Sequence, residues 1–323
     1  MSAERLESLG IEVKGFGHYL PRRKVENDEI MNSITLKASS VDTKVLGDIG
    51  VKSRYWADED ETIEYMAKCS SEMALKSAGI SVNDVDLLIL SNWTSRQYVP
   101  DIAPQVAMLL GADNALSFDI CCACCGFINA VMTASMYLNS NPRMKVAVVV
   151  SSEQFSKGVK PHSKGQLITG DASGAVVLVK TGNRKNGVID YVLRSDGNLK
   201  ELVGVKMPEC WVRSKPELAV QGPIKNVEVA AELLDRNEIN MKDIDWYVPH
   251  PGTDTVNNGI KSGLNIPDEK FIVNFERVAN TSSASIPLVL SENYHSGKFK
   301  KNDLIMMSGI GSGLYYGALL IRI

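Results

Sequence analysis

The stretch ISVNDVDLLILSNWTS, residues 80–95, decides the fold, because the chain nearly repeats it as INMKDIDWYVPHPGTD at residues 239–254. In each copy a short polar turn carries Asp-(Val/Ile)-Asp and an apolar run follows; Asp86 and Asp245 lie 159 positions apart. Helical periodicity precedes both turns: IEYMAKCSSEMALKSAG (63–79) and VEVAAELLDRN (227–237) space their apolar residues three and four apart. Later segments also correspond. KVAVVVSSE (145–153) has its partner in DLIMMSGIG (303–311), and GDASGAVVLVK (170–180) resembles GSGLYYGALLIRI (311–323). Runs such as Leu87–Leu90 and Val146–Val150 are apolar at successive positions, which suits strands covered on both faces. Two copies of one α/β unit are therefore expected, with buried strands between helical layers and clefts where the duplicated loops meet. TGNRKNG (181–187) is a polar, Gly-containing break, so the predicted halves are residues 1–180 and 181–323.

The chain has 323 residues, 44% of them apolar and 23% charged, enough for a substantial core. With 35 basic against 38 acidic side chains the net charge is −3, and no strong field is available to hold nucleic-acid phosphates. The opening MSAERLESLG places charges where a secretory signal needs an apolar run, and no stretch reaches the roughly 18 apolar residues of a membrane span. A cytoplasmic protein without a membrane or nucleic-acid partner is expected. Its compartment would keep thiols reduced.

Four of the six cysteines crowd into ICCACCGF (120–127). A zinc cage normally spaces its thiolates C-x2-4-C and recruits a second pair; only Cys69 and Cys210 remain for that. LSFDI (116–120) reads as a buried strand, while Phe127, Ala130, Val131, Ala134 and Leu138 mark one face of a following helix. The cysteines then sit at a strand-to-helix turn. Free N–H groups and the dipole there favour an anion, so a thiol in the first helical turn becomes a better thiolate. The competing reading is four small buried hydrophobes. His250 ends the apolar run WYVPHPG (246–252), where it is either structural or catalytic, since catalytic groups collect at strand ends in α/β folds. Asn280, in VANTSSASIP (278–287), reads as a capping turn or a glycosylation sequon.

Taken in order, FDICCACCGF (118–127), VPH (248–250) and ANTSSASIP (279–287) resemble the cysteine, histidine and asparagine motifs of the β-ketoacyl-acyl carrier protein synthase III family. The likeness extends to GHYLPRRKVENDEI (17–30), GDASGA (170–175) and the C-terminal GSGLYYGALLIRI. The resemblance implies the duplicated five-layer thiolase fold (α-β-α-β-α), usually as a homodimer. It puts the nucleophile at Cys124 with His250 and Asn280 as its catalytic partners, and an oxyanion hole at the backbone N–H groups of Cys124 and Ser312. By the same resemblance Cys124 takes an acyl group from a thioester of coenzyme A or acyl carrier protein. A malonyl thioester is then decarboxylated, its enolate stabilised by His250 and Asn280 with no metal or redox cofactor.

Some positions depart from the family pattern. In SSVDTKVLGDIGVKSR (39–54) Lys44 replaces an aromatic residue near the adenine and Asp48 replaces an arginine. Thr255, in PGTDTV (251–256), stands where a basic residue is associated with carrier docking. Lys157, Lys160 and Lys164 offer positive charge nearby or form a solvated loop, and Val99 stands where a bulkier gate is common. Val99, Lys164 and Thr255 are thus the substrate-binding candidates. The expected activity is decarboxylative Claisen condensation of the Cys124 acyl group with a malonyl-type or β-keto thioester, in a specialised fatty-acid or polyketide pathway. The alternatives are acyl transfer to an alcohol or amine on the same fold, and a non-catalytic dimeric scaffold.

Overall fold

The structure, a computed structural model, describes residues 6–35, 49–95, 97, 99–206 and 209–323. Lys44 and Asp48 lie outside the described residues. The first half of the chain runs β1 (Ile11–Tyr19), β2 (Arg23–Glu26), α1 (Asn27–Thr35), β3 (Ser53–Trp56), α2 (Ile63–Ala78), β4 (Leu87–Ser91), α3 (Ala103–Leu110), β5 (Leu116–Ile120), α4 (Gly126–Ser140), β6 (Val146–Gln154) and β7 (Asp171–Lys180). There follow β8 (Gly187–Ser195), β9 (Val203–Lys206), β10 (Trp211–Ser214), α5 (Leu218–Arg236), β11 (Trp246–Pro249), α6 (Asp254–Leu264), α7 (Phe275–Val278), α8 (Ser285–His295), β12 (Leu304–Gly311) and β13 (Tyr315–Arg322).

The repeat read from the sequence is a repeat of topology. One sheet has the order β1-β7-β6-β4-β5 and the other the order β8-β13-β12-β11. In each the duplicated central strands pair in parallel, β4 with β6 and β11 with β12, and the next two pairings are antiparallel. The repeated aspartates explain their own recurrence. Asp86 N–H donates to Val146 O at 3.0 Å while its carboxylate accepts from Val146 N at 3.0 Å. Asp245 does the same to Leu304, at 3.0 Å and 2.8 Å. Each side chain thereby satisfies backbone groups where two strands begin and fixes their register.

Strand alternation then sorts the core into layers. Leu87, Ile89, Ala147 and Val149 face inward with Ile305 and Met307 of the other sheet, and between the sheets lie α4, through Phe127, Val131 and Leu138, and α8, through Ile286 and Val289. Leu88, Leu90, Val148 and Val150 face outward against α2 and α3. Met306 and Leu320 face outward against α5 and α6. The result is the α-β-α-β-α stack of the thiolase fold, with the central strands β4 and β6 buried along their whole length. Truncating a buried anchor such as Phe127 to Ala would cost roughly 3–5 kcal/mol. The outer helix α2 has clear ends: the Thr62 hydroxyl accepts from Tyr65 N, and Gly79 closes the helix in the left-handed conformation.

One expectation fails. β5, read as a buried strand, is partly exposed along its whole length, and Leu116 at its start is 45% exposed. Leu116, Phe118 and Ile120 are apolar, yet β5 pairs only with β4 and ends the sheet, and no strand among the described residues pairs with its free edge. No helix among the described residues is long and apolar enough to cross a membrane.

Candidate active site

The chain passes from β5 into α4 through a single 3-10 turn, Ala123–Cys125, closed by Cys125 N donating to Cys122 O at 3.0 Å. Ala123 holds φ 45°, a left-handed conformation that turns the chain sharply just before Cys124. Gly126 starts α4 where a Cβ would collide with the Ser91 hydroxyl, so the helix can sit directly on the end of β4. Cys124 lies in the turn ahead of the helix rather than in its first turn. Its thiol lies deep although the residue as a whole is only partly buried. Burial pushes the thiol up to about 12 and the buried Glu153 adds to this, while the hydrogen bond shared with the Ser282 hydroxyl and the residue's own N–H pull it back. The thiol therefore stands above its ordinary value rather than below it as expected, and desolvation is the largest cause.

His250 follows β11, and its N–H donates to Ser308 O of β12 at 2.6 Å. The imidazole is buried, and desolvation depresses it to about 4 against a smaller opposing effect from the Ser282 backbone. It is neutral at physiological pH. Its Nδ1 is buried with no hydrogen-bond partner among the described residues. A Cβ placed on Gly309 would lie 3.2 Å from His250 Cβ and 3.8 Å from Cys125 Sγ, so the imidazole stands beside the cysteine turn.

Asn280 sits in the loop from α7 to α8, clamped to the segment entering β7 by Asn280 N to Ile168 O and Gly170 N to Asn280 O, both 2.9 Å. Its Oδ1 accepts from Ser282 N at 2.8 Å. That bond assigns the amide: the oxygen is used, and the NH2 group is left for a ligand. Ala279, just before it, holds φ 59° and ψ −160°, a glycine-like conformation.

Ser282 connects these parts. Its hydroxyl lies 3.4 Å from Cys124 Sγ, its N–H fixes Asn280, and its backbone meets His250. Three segments distant in sequence thus meet at one residue. Trp93 donates from Nε1 to the Ser282 hydroxyl at 2.7 Å, and its ring packs edge-on against Phe155. Beneath them Glu153, at the end of β6, accepts from Ser283 Oγ at 2.6 Å, Thr94 Oγ1 at 2.8 Å, Thr94 N at 3.2 Å and Trp93 N at 3.3 Å. It ties the 92–94 loop to the 282–283 loop. Burial raises its carboxyl to about 7. Sequence reading missed Ser282, Trp93 and Glu153. A buried acid closing the apolar run of β6 was a usable signal for Glu153; nothing marked Ser282 among the four serines of residues 282–291 or Trp93 as special.

The end of β12 meets the turn from the other side. A Cβ on Gly311 would stand 3.1 Å from Cys124 N and 3.0 Å from Cys125 N, an approach only glycine permits. Ser312, the next residue, is anchored by its hydroxyl to Val203 O at 2.7 Å. The structure therefore gathers Cys124, His250, Asn280 and the Gly311–Ser312 segment. Val99, Lys164 and Thr255 are all exposed, Val99 at 87%, and none of them takes part in the hydrogen bonds of this cluster. Lys157 bonds to Gln154 Oε1 at 2.9 Å and Lys160 lies over the Trp211 ring.

Residues 118–197 match the model of 3-oxoacyl-[acyl-carrier-protein] synthase III, and residues 234–323 match that of its C-terminal part. The β-ketoacyl-[acyl-carrier-protein] synthase III of Ehrlichia canis is 32% identical over 319 residues, covering 96% of this chain and 98% of the relative. This chain belongs to the synthase III family. It is a condensing, acyl-transferring enzyme by that membership. The synthase III of Aquifex aeolicus is also 32% identical, and its crystal structure superposes with a TM-score of 0.91 over 97% of this chain and 100% of that one. The priming β-ketosynthase of the R1128 polyketide pathway superposes with a TM-score of 0.89 at 26% identity, over 100% and 98% of the two chains. The synthase III fold thus accounts for both duplicated sheets and for the loops that carry the cluster.

Proposed function

We propose that the protein loads an acyl group from a thioester onto Cys124 and joins it to the enolate of a decarboxylated malonyl-type thioester. The observation that carries this reading is the convergence of a thiol, a neutral imidazole and a carboxamide with a free NH2 group on Ser282. In the loading step Cys124 sulfur attacks the thioester carbonyl, the bond to the carrier sulfur breaks, and the thiol proton leaves with the released carrier thiol. The developing oxyanion would be held by the N–H groups of Cys124 and Ser312. In the second step carbon dioxide departs from the malonyl group, and the enolate oxygen would take hydrogen bonds from His250 and the Asn280 amide. A neutral imidazole can donate there without surrendering a proton, and no metal or redox cofactor enters the route.

The acyl donors would be thioesters of coenzyme A or acyl carrier protein, whose slender arm alone can reach a thiol so deeply placed. Val99, Lys164 and Thr255 would lie on the approach rather than at the reacting atoms. A second copy of the chain would cover the open edge of β5, because Leu116 is flanked by exposed Met108, Leu109, Met136 and Tyr137, an apolar face that a homodimer would bury. A reactive thiol among three other cysteines favours a reducing compartment, and a cytoplasmic enzyme would meet that need.

Intact-protein mass spectrometry after incubation with a panel of acyl-coenzyme A and acyl-carrier donors tests the proposal. Wild type should gain one acyl mass and Cys124→Ala none. Carbon dioxide release from malonyl thioester then separates condensation from transfer to an alcohol or amine. Equal adducts on both proteins, or none on either, would leave a scaffold.

A further inference from the structure

Trp93 has one polar atom, a donor, and it points at the Ser282 hydroxyl oxygen at 2.7 Å. The Ser282 oxygen is thus engaged as an acceptor, and the direction of its own proton becomes the question. Its other side-chain neighbour is Cys124 Sγ at 3.4 Å, an ordinary distance for a hydrogen bond to sulfur. With a thiol, either group can donate to the other. With a thiolate, only the serine can. We propose that Ser282 is a further catalytic residue, the hydrogen-bond donor that stabilises the Cys124 thiolate during acyl loading, and that Trp93 is the positioning residue that holds its hydroxyl in the donating orientation. The proposal rests on Cys124 being the nucleophile.

Three features support this assignment. Ser282 holds φ 54°, a left-handed conformation uncommon for serine, and it is fully buried, so its side chain is directed by the backbone rather than free to rotate toward water. The orientation is locked twice, by Ser282 N to Asn280 Oδ1 and by the indole. An oxygen that already accepts a hydrogen bond is a stronger donor through its own proton, because the two bonds polarise one another. The Trp93 ring is itself fixed, edge-on to Phe155, and its Cη2 lies where a side chain on Gly158 would intrude, so the indole cannot swing away without disturbing that loop. Among the described residues no cation takes this part: the charged group that acts on the thiol is Glu153, which opposes ionisation. In a site that desolvates the sulfur, one oriented hydroxyl is what remains to offset the cost.

The test is the pH profile of Cys124 alkylation by iodoacetamide, followed by peptide mass, in wild type, Ser282→Ala and Trp93→Phe. Alkylation needs the thiolate but not His250 or Asn280, so it reports on the sulfur alone. Ser282→Ala should react about tenfold more slowly at pH 8, its profile displaced upward by about one pH unit, and Trp93→Phe should shift the same way by less. Acyl loading from acetyl-coenzyme A should slow by a similar factor in each. Superimposable wild-type and Ser282→Ala profiles overturn the proposal; a loss of amplitude without displacement does so too, because it assigns the hydroxyl a packing role. Should Ser282→Ala fail to fold, Trp93→Phe carries the same comparison. Acyl loading that persists in Cys124→Ala rejects the nucleophile itself, which is a different result.

Discussion

Replacing Glu153 by glutamine should change how stability depends on pH more than it changes stability at any one pH. The carboxyl is raised by burial from 4.5 to about 7. A raised carboxyl is held protonated in the folded protein, so its contribution is fully present below pH 4.5 and is lost as pH rises through about 7. Between pH 5 and pH 8 that loss integrates to about 2–3 kcal/mol. Glutamine cannot ionise and removes the dependence. It also fits the site. Oε1 meets Ser283 Oγ, which can accept from an amide NH2 while donating instead to Ser91 O at 3.5 Å, and the other oxygen keeps its bonds from Trp93 and Thr94. Urea unfolding of both proteins at pH 5 and pH 8 is the assay. The variant should gain about 2–3 kcal/mol on wild type between the two pH values, whatever the constant offset from altered packing. Parallel stability curves would show that Glu153 is ionised in the folded protein throughout, and the description of the site as a dry pocket would have to be abandoned.

Two further expectations concern catalysis. Because His250 is depressed to about 4, decarboxylation of malonyl thioester by the preacylated enzyme should show no loss from imidazole protonation between pH 8 and pH 5. A histidine-dependent midpoint near 6.5, absent from His250→Asn, would refute its neutrality. Gly311→Ala drives a methyl group into the Cys122 carbonyl, 2.4 Å away, and against the N–H groups of Cys124 and Cys125. Overpacking of this kind costs about 1–3 kcal/mol, and displacing an oxyanion donor lowers the rate by about 10²–10³. The acyl-loading burst, measured by rapid quench, should fall accordingly; an undiminished burst at unchanged melting temperature rules out the close approach.

Ala279 and Ser282 show where reading the sequence stops. ANTSSASIP identified Asn280 through its likeness to a known motif, yet nothing in the string says that Ala279 and Ser282 take left-handed backbone conformations or that Ser282, rather than Ser283 or Ser285, faces the thiol. The same limit applies to LSFDI. Its composition is that of a buried strand, and only the absence of a neighbour on one side makes β5 an edge.

The chain by itself determined the architecture, because the repeat of Asp86 and Asp245, the apolar runs and the helical spacing are all local patterns, and each dictates what its own segment must pair with or cover. It also determined, through the order of three motifs, which cysteine, histidine and asparagine to look at. Only the tertiary structure decided their state. Cys124 and Ser282 are 158 residues apart. The protonation of the thiol, the neutrality of His250 and the raised pKa of Glu153 all follow from water excluded by segments that meet only after both halves have folded, and burial is a sum over neighbours that no single stretch of sequence contains.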